Sequence, residues 1–535
     1  MRLCQVSGTA GQTLLEALRL EHQHIDAPCG GKTRCIRCMV RLPAETAAEA
    51  QIEAPSAVEQ ELVGRKRLAD GWRLACRARF AEDSTIAVTV PNARLDIPDF
   101  PISKAQQARL NAQARAHAAA GVSAVDTGVA PASLLSDCIV AVDIGTTTVV
   151  AVLAERGSGD VIARVAEANR QRSWGSDVVA RIESAVSSPD ALASMKGLIQ
   201  TQIEEMLLAL KRQTGLEELP PVYLCGNTTM LHLLEGEDLR GLASMPFKPA
   251  FLEARTTTIG ASHIPGHLIG GISAFVGADI MAGLFACGFD KPVSAPCLLV
   301  DIGTNGEMAL ALPDRIYVTA TAAGPAFEGE LISSGSPATV GAIDHVWLDD
   351  DRKIHFSTIG NPDEQGLATG LCGSGLLDLM SCLRRLEIVD DSGAFTTDAA
   401  SYSFGEGQPS LTQADVRSLQ LAKGAIAAGI EILCQRAGIA FTDIETLYLA
   451  GGFGSTLLPA SALDIGLLPG AVAGRIETAG NTALTGTLLL AAQPDAFERM
   501  KSSLLERITV VELAREPGFQ DAFMDAMMFP EFEDV

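Results

Sequence analysis

A multidomain α/β protein is what this sequence predicts, and three observations predict it. Length is the first: 535 residues exceed one ordinary domain, and 47% hydrophobic against 20% charged residues suits a folded chain with large cores. The second is a change of character along the chain. Short alternating segments up to residue 92 give way to an Ala-, Gln- and Arg-rich stretch, then to long apolar runs after residue 136. The third is an internal repeat. Residues 138–148, ending Asp143-Ile144-Gly145-Thr146-Thr147-Thr148, return as residues 297–305, ending Asp301-Ile302-Gly303-Thr304-Asn305. Each copy is an apolar strand closing on Asp-x-Gly-Thr, followed by a second apolar strand (149–153; 307–312), so two similar lobes are expected to face each other. The expected organisation is a small mixed α/β module over 1–92, a helical linker over 93–136, and a two-lobed domain over 137–535, with lobes of about 137–296 and 297–535.

In the first module, residues 2–6, 38–42 and 86–90 alternate as half-buried strands do. Thr13-Leu14-Leu15-Glu16 has the form of a capping box. A helix then runs to about Glu21, with Leu14, Leu15 and Leu18 as its apolar face. The 93–136 stretch has little β-branched content before Gly121 and reads as a helical connector followed by a loose linker.

The 41 basic and 65 acidic residues give a net charge of −24, which argues against nucleic-acid binding and against anionic membrane surfaces. No apolar run approaches the roughly 18 residues that a membrane span needs, and the opening residues lack a signal peptide's apolar core. A cytoplasmic protein whose twelve cysteines stay reduced is expected. Charge is uneven: residues 1–94 carry 13 basic and 11 acidic side chains, net +2, leaving 28 against 54, net −26, for the rest. Separate docking surfaces for separate partners would produce such a split, and so would ordinary solvated faces.

Cys29, Cys35, Cys38 and Cys76 stand in the pattern C-x5-C-x2-C-x37-C. An iron–sulfur cluster needs four thiolates converging on one point, and a close-spaced triplet supplies three of them from one loop. Gly30 and Gly31 let the backbone wrap close to inorganic sulfide. Lys32, Arg34, Arg37, Arg73, Arg77 and Arg79 are placed to offset the cluster's negative charge. A [2Fe–2S] cluster is the expected occupant. Zinc competes, although zinc modules usually present two C-x2-C pairs and here there is one. The segment from Asp26-Ala27-Pro28-Cys29 through Cys38 resembles the ferredoxins of the β-grasp fold, in the adrenodoxin-type branch rather than the plant type. The other eight cysteines (Cys4, Cys138, Cys225, Cys287, Cys297, Cys372, Cys382 and Cys434) sit singly in apolar stretches and read as small core residues.

An Asp at a strand end, followed by Gly and Thr in a tight turn, can hold Mg2+ through waters while backbone amides face phosphate oxygens. One such loop is a common turn. Two of them between buried strands resemble the paired phosphate loops of the actin, Hsp70 and sugar-kinase superfamily. Leu449-Ala450-Gly451-Gly452-Phe453-Gly454 resembles that superfamily's adenosine-binding turn. The resemblance implies ATP and Mg2+ bound between the lobes. Asp143 and Asp301 fall in the magnesium shell, Thr146, Thr147 and Thr304 at the phosphates, and Gly145, Gly303, Asn305, Gly451 and Gly452 in the turns. Glu307 and Glu328 are candidate catalytic acids that position water or metal, or else structural acids capping a turn.

A ferredoxin-like module joined to such an actin/Hsp70-like domain resembles the reductive activators of corrinoid proteins, which serve corrinoid methyltransferase systems. The likeness extends to Asn169 with Trp174-Gly175-Ser176-Asp177-Val178-Val179-Ala180-Arg181-Ile182 and to Gly226-Asn227-Thr228-Thr229-Met230. It also takes in residues 321–329, 370–375 and 411–417. It implies an ATP-dependent corrinoid-protein reductase (activase), passing one electron from a [2Fe–2S] cluster to Co(II) to regenerate the Co(I) that accepts a methyl group. Implied partners are a corrinoid (cobalamin-binding) protein, an electron-donating reductase or ferredoxin, and a second copy of the chain in a homodimer. One departure is that 93–136 leaves room only for a linker where a longer region is expected. Three other readings compete: an ATP-coupled electron donor to another low-potential enzyme, a small-molecule kinase with a structural zinc module, and an ATP-gated binding protein.

Overall fold

In the computed structural model, residues 2–90 and 137–531 are described, apart from 22–24, 26, 28–30, 32, 34–37, 44–50, 157–158, 361–367, 399, 406, 455 and 493–502. The expected linker over 93–136 lies outside the described residues, as do Cys29, Cys35, Lys32, Arg34 and Arg37.

The N-terminal module is built on four strands. β1 (Arg2–Gly8) pairs antiparallel with β4 (Ser84–Val90), Val6 opposite Ile86, and β2 (Met39–Arg41) and β3 (Trp72–Leu74) extend the sheet in the order β1-β4-β2-β3. Helix α1 (Leu14–Leu20) begins at the expected capping box: the Glu16 amide donates to Thr13 Oγ1 at 3.2 Å and the Thr13 amide to Glu16 Oε2 at 2.9 Å. Leu14, Leu15 and Leu18 pack with Val6, Val40, Leu74, Phe80 and Val88 in one core. Beside it, Arg73 Nε meets Glu59 Oε1, on helix α2 (Ala57–Val63), at 2.9 Å in a buried pair. The pair is sustainable because it is bidentate, Arg73 Nη2 donating to Glu59 Oε2 at 3.1 Å, and because Glu59 also accepts the Leu74 amide at 3.2 Å.

The rest of the chain repeats one design. In the first lobe β5 (Cys138–Ile144), β6 (Thr148–Glu155) and β7 (Val161–Ala168) form an antiparallel meander. A 3-10 turn (Arg170–Trp174), helix α3 (Val178–Ser187) and helix α4 (Pro189–Thr214) lead to β8 (Val222–Gly226), which lies parallel to β5 on its other side. Helix α5 (Thr228–Glu235), β9 (Arg255–Ile259), β10 (Ile264–Leu268) and helix α6 (Ala278–Ala286) complete the lobe, with sheet order β7-β6-β5-β8-β10-β9.

In the second lobe β11 (Cys297–Ile302), β12 (Gly306–Ala311) and β13 (Ile316–Thr321) form the same meander. A small sheet follows, made of β14 (Ala342–Leu348), β15 (Ile354–Thr358) and β16 (Gly370–Leu371), with helix α7 (Gly373–Arg385) and the hairpin β17 (Ser401–Ser403) and β18 (Ser410–Thr412). Long helix α8 (Gln413–Ala437) returns the chain to β19 (Thr446–Ala450), parallel to β11, and β20 (Ile476–Gly480). Helix α9 (Thr482–Ala492), β21 (Ile508–Val510) and helix α10 (Phe519–Met527) follow. The central sheet reads β20-β19-β11-β12-β13-β21, so in both lobes the meander's first strand is flanked by its second strand and by a parallel one.

The strands β5, β6, β11 and β12 are buried on both faces. Helices cover both sides, and two of them are exchanged. α9 packs Leu484, Leu488 and Leu489 onto Ile139, Ala141, Val150 and Val152 of the first lobe. α6 meets the second lobe's sheet, Gly283 lying against Leu299, and joins the core that contains Leu299, Ala309 and Val318. The two helices cross so closely that a Cβ on Gly486 would stand 1.8 Å from the Ala282 carbonyl oxygen.

Candidate nucleotide and cluster sites

Asp143 and Asp301 occupy the penultimate positions of β5 and β11, where each strand ends and the chain must turn. Both turns are tight: the Gly145 amide donates to the Thr148 carbonyl at 2.9 Å and the Gly303 amide to the Asn305 carbonyl at 3.0 Å. Across the gap Thr147 Oγ1 and Thr304 Oγ1 stand 3.4 Å apart. A cavity of about 250 Å³ lies between the lobes. Asp143, Gly145, Thr146, Thr147, Asp301, Gly303, Thr304, Asn305, Gly451 and Gly452 all line it, together with Glu307 and Glu328. Gly451 has φ +90, and a Cβ there would lie 2.5 Å from Asp301 Oδ1, so glycine is what lets the third turn rest against the second loop.

The cavity is strongly acidic. Burial pushes Asp143 up to about 6, although hydrogen bonds from Asn481 (2.7 Å) and Cys225 oppose the rise. Asp279, at the start of α6, is raised to about 7 by burial and by Asp143, with a bond from the Ile280 amide opposing. Asp301 is raised to about 8 by burial and by the charges of Asp279 and Asp143. Glu307 is raised well above its ordinary value by burial and by the same three carboxylates.

The two halves are not equivalent here. Asp301 faces Glu307 across the β11–β12 pair, whereas Asp143 faces Val150 across β5–β6. Glu328 Oε1 accepts from Thr304 Oγ1 at 2.6 Å. Among the described residues, Glu307 Oε1 and Glu328 Oε2 are buried with no hydrogen-bond partner. Buried acceptors with nothing to accept, ringed by carboxylates, fit a divalent cation with its water shell. Arg172 is the one cation among the described residues lining the cavity, and it pairs with Glu330 at 2.5 Å.

Several lining residues were not singled out in sequence. Asp279 is a lone acid in an apolar helix start, and Asn481 a lone amide that caps α9 through the Leu484 amide. Asn227, bonded to Thr146 Oγ1 at 3.0 Å, lay within a segment of family likeness, as did Cys372, Gly373 and Ser374. Phe327 and Phe453 stack at 5.0 Å on the cavity wall, a pairing across 126 positions that no local pattern signals. Six of the eight solitary cysteines are buried as expected, with Cys4 and Cys297 half-buried.

In the N-terminal module, Cys38 precedes β2 and Cys76 follows β3, and these strands pair with Met39 opposite Leu74. The Ala75 amide donates to the Cys38 carbonyl at 2.9 Å, so both cysteines stand at the same end of the pair. A cavity of about 240 Å³ beside Cys76 is lined by that residue with Gly31, Thr33, Arg19, Arg77 and Arg79. Thr33 Oγ1 is 3.8 Å from Cys76 Sγ, and a Cβ at Gly31 would approach Leu15 to 3.0 Å. This room, the thiols and the cationic rim fit an iron–sulfur group. Arg73 departs from expectation: it is committed to Glu59 in the core, and Arg19 stands at the rim instead.

Comparison with known proteins agrees along the chain. Residues 3–81 match the 2Fe-2S iron-sulfur cluster binding domain, 138–292 the RACo middle region, and 295–534 the C-terminal domain of RACo, the ASKHA domain. A middle region is thus present, and it falls on the first lobe rather than within 93–136. The chain is 32% identical over 424 residues to the corrinoid activation enzyme RamQ of Eubacterium limosum, covering 73% of this chain and 70% of the relative. It is 29% identical over 343 residues, 58% of this chain and 62% of the relative, to the [Co(II) methylated amine-specific corrinoid protein] reductase of Methanosarcina barkeri. The solved structure of a reductive activator for corrinoid, iron-sulfur protein superposes with a TM-score of 0.66 at 26% identity, covering 98% of this chain and 96% of that one. The fold is therefore an iron–sulfur module followed by a two-lobed, actin/Hsp70-like domain.

Proposed function

This chain belongs to the RACo family of reductive activators of corrinoid proteins, and on that premise we propose that it returns the cobalt of a corrinoid protein from Co(II) to Co(I) under the control of Mg-ATP. The observation that carries the reading is the union, in one chain, of the iron–sulfur module with a cleft whose two facing Asp-x-Gly-Thr turns converge on one acidic cavity. When bound, the cluster supplies one electron at a time. Cys38 and Cys76 would hold it at one end of the sheet, with Cys29 and Cys35 as the other two thiolates. Arg19, Arg77 and Arg79 offset its charge at the rim.

In the cleft, the amides of the two turns would face the phosphate oxygens, and Asp143 and Asp301 would hold the divalent cation. Glu307 and Glu328, each with a bare buried oxygen, orient the attacking water. The purine lies at Gly451 and Gly452. A plant-type [2Fe–2S] centre lies near roughly −400 mV, and every ~59 mV of mismatch is a tenfold penalty for one electron. Nucleotide removes that penalty by favouring the complex in which cobalt is the easier acceptor, since a ligand shifts an equilibrium only by its differential affinity. An electron-donating reductase or ferredoxin recharges the module, and the chain works as a homodimer.

The test is anaerobic and optical. Chemically reduced, iron-loaded protein is mixed with a Co(II) corrinoid protein from the same cell, and cobalt absorbance is followed with and without Mg-ATP. Co(I) that appears only with Mg-ATP supports the proposal. Equal rate and extent without nucleotide would overturn the coupling, and no Co(I) at all would overturn the acceptor.

A further inference from the structure

We propose that Arg19 latches the iron–sulfur module onto the first lobe, and that nucleotide entering the cleft opens this latch; the inference rests on the functional reading above. Arg19 belongs to α1 yet is 7% exposed, because Ser173, Trp174 and Ser194 of the first lobe lie against it. Its guanidinium donates from Nε to the Ser173 carbonyl at 2.6 Å, and from Nη2 to the same oxygen, while lying 4.6 Å over the ring of Trp174. Ser194 Oγ answers by donating to the Arg19 carbonyl at 3.2 Å. A two-pronged charged donor stacked on an indole is a specific contact, and its planar geometry is one lysine cannot copy.

Ser173 and Trp174 end the 3-10 turn, and that turn is tied to the first phosphate loop on both sides. Before it, the Asn169 amide donates to the Thr147 carbonyl and Asn169 Nδ2 to the Gly145 carbonyl, both at 2.8 Å. After it, Arg181 donates to the carbonyls of Thr146 (2.6 Å) and Gly175 (3.0 Å). Between these ties Arg172 points into the cavity on Glu330. On the module's side, the Leu15 amide of α1 donates to the carbonyl of Ala75, the neighbour of Cys76, at 2.9 Å.

A triphosphate entering an acidic cavity competes with Glu330 for Arg172, its one cation among the described lining residues. Drawing Arg172 inward shifts Ser173 and Trp174, the adjoining residues, from under Arg19. The module then comes away and presents the Cys76 edge, whose rim includes Arg19 itself, to an acceptor. In the latched state Arg19 is turned onto Ser173 and Trp174 of the first lobe, while Arg77 and Arg79 of the same rim are exposed.

The test uses the full iron-loaded chain and Mg2+ with AMP-PNP, read by hydrogen exchange over Leu14–Leu20 and by nucleotide affinity. Saturating nucleotide speeds exchange across α1 about tenfold, equivalent to ~1.4 kcal/mol. Arg19→Ala exchanges at the fast rate without nucleotide and, by reciprocity, binds AMP-PNP tighter by the same factor. Arg19→Lys, which keeps the charge and the fold, falls between. Unchanged α1 exchange at saturation, or an Arg19→Ala affinity equal to wild type, overturns the latch. Either result is separable from failure of the activator reading, which is scored on Co(I).

Discussion

Binding of Mg-nucleotide should expel protons from the cleft, and the structure says how many. At pH 7 a carboxyl raised to about 8, as Asp301 is, holds roughly 0.9 of a proton. Asp279, raised to about 7, holds roughly 0.5, and Asp143, raised to about 6, is largely ionised. A divalent cation brought against these oxygens removes the reason for protonation, so about 1.5 protons leave these three groups per nucleotide bound near pH 7, and Glu307, raised well above its ordinary value, adds to the count. Apparent affinity then climbs more than tenfold per pH unit, over ~1.4 kcal/mol each, around pH 7. The sign for stability is the opposite. Each folded value lies above the ordinary 3.8, so the folded chain holds more protons than the unfolded one, and the protein without ligand loses stability as pH rises from about 4 to about 8. Isothermal calorimetry of Mg-ADP binding in two buffers of different ionisation enthalpy counts the protons, and Asp301→Asn should lower the count by roughly 0.9 at pH 7. An affinity independent of pH between 6 and 8, with heats that do not depend on buffer, would refute the reasoning.

Three further outcomes are expected. Glu59→Gln strands Arg73 in the core and should weaken the N-terminal module by about 3–5 kcal/mol, seen as loss of bound iron and its visible absorbance. Burial would raise Glu59, yet Arg73 holds it below its ordinary 4.5, so its contribution to stability is present above that value and lost as pH falls through the lowered one. Glu307→Gln should cut ATP hydrolysis about 10²-fold with little change in nucleotide affinity at pH 9, measured by phosphate release. Gly451→Ala must strain a backbone at φ +90 against Asp301, and a cost of about 1–3 kcal/mol should appear as weaker AMP-PNP binding in a chain that still folds.

Much of this was legible in the sequence because it is local. The capping box at Thr13, the strand ends at Asp143 and Asp301 and the glycine turn at Gly451 each declare themselves within a few residues. The cysteine spacing did the same for the module's chemistry. What escaped depends on residues that meet only after folding. Asp279 is a single acid in the run Ala278–Ala286, and its meaning comes from Asp143 and Asp301 arriving on other strands. Arg73 looked like a cluster neighbour because it is three positions from Cys76, but alternation along β3 turns it toward Glu59. Arg19 and Trp174 carry no shared pattern, and their contact spans 155 positions.

The exchange of α6 and α9 bears on how this chain can be cut. Each central sheet is roofed by a helix that the sequence assigns to the opposite half, and the two roofs cross at Gly486 against Ala282. A gene fragment ending near residue 296 would leave Ile139, Ala141 and Val152 uncovered, and the complementary fragment would lack the helix that shelters Leu299. Neither half is a self-sufficient unit of folding, so the lobes melt together. Truncation that respects this architecture separates the iron–sulfur module from the remainder and leaves 137–531 whole.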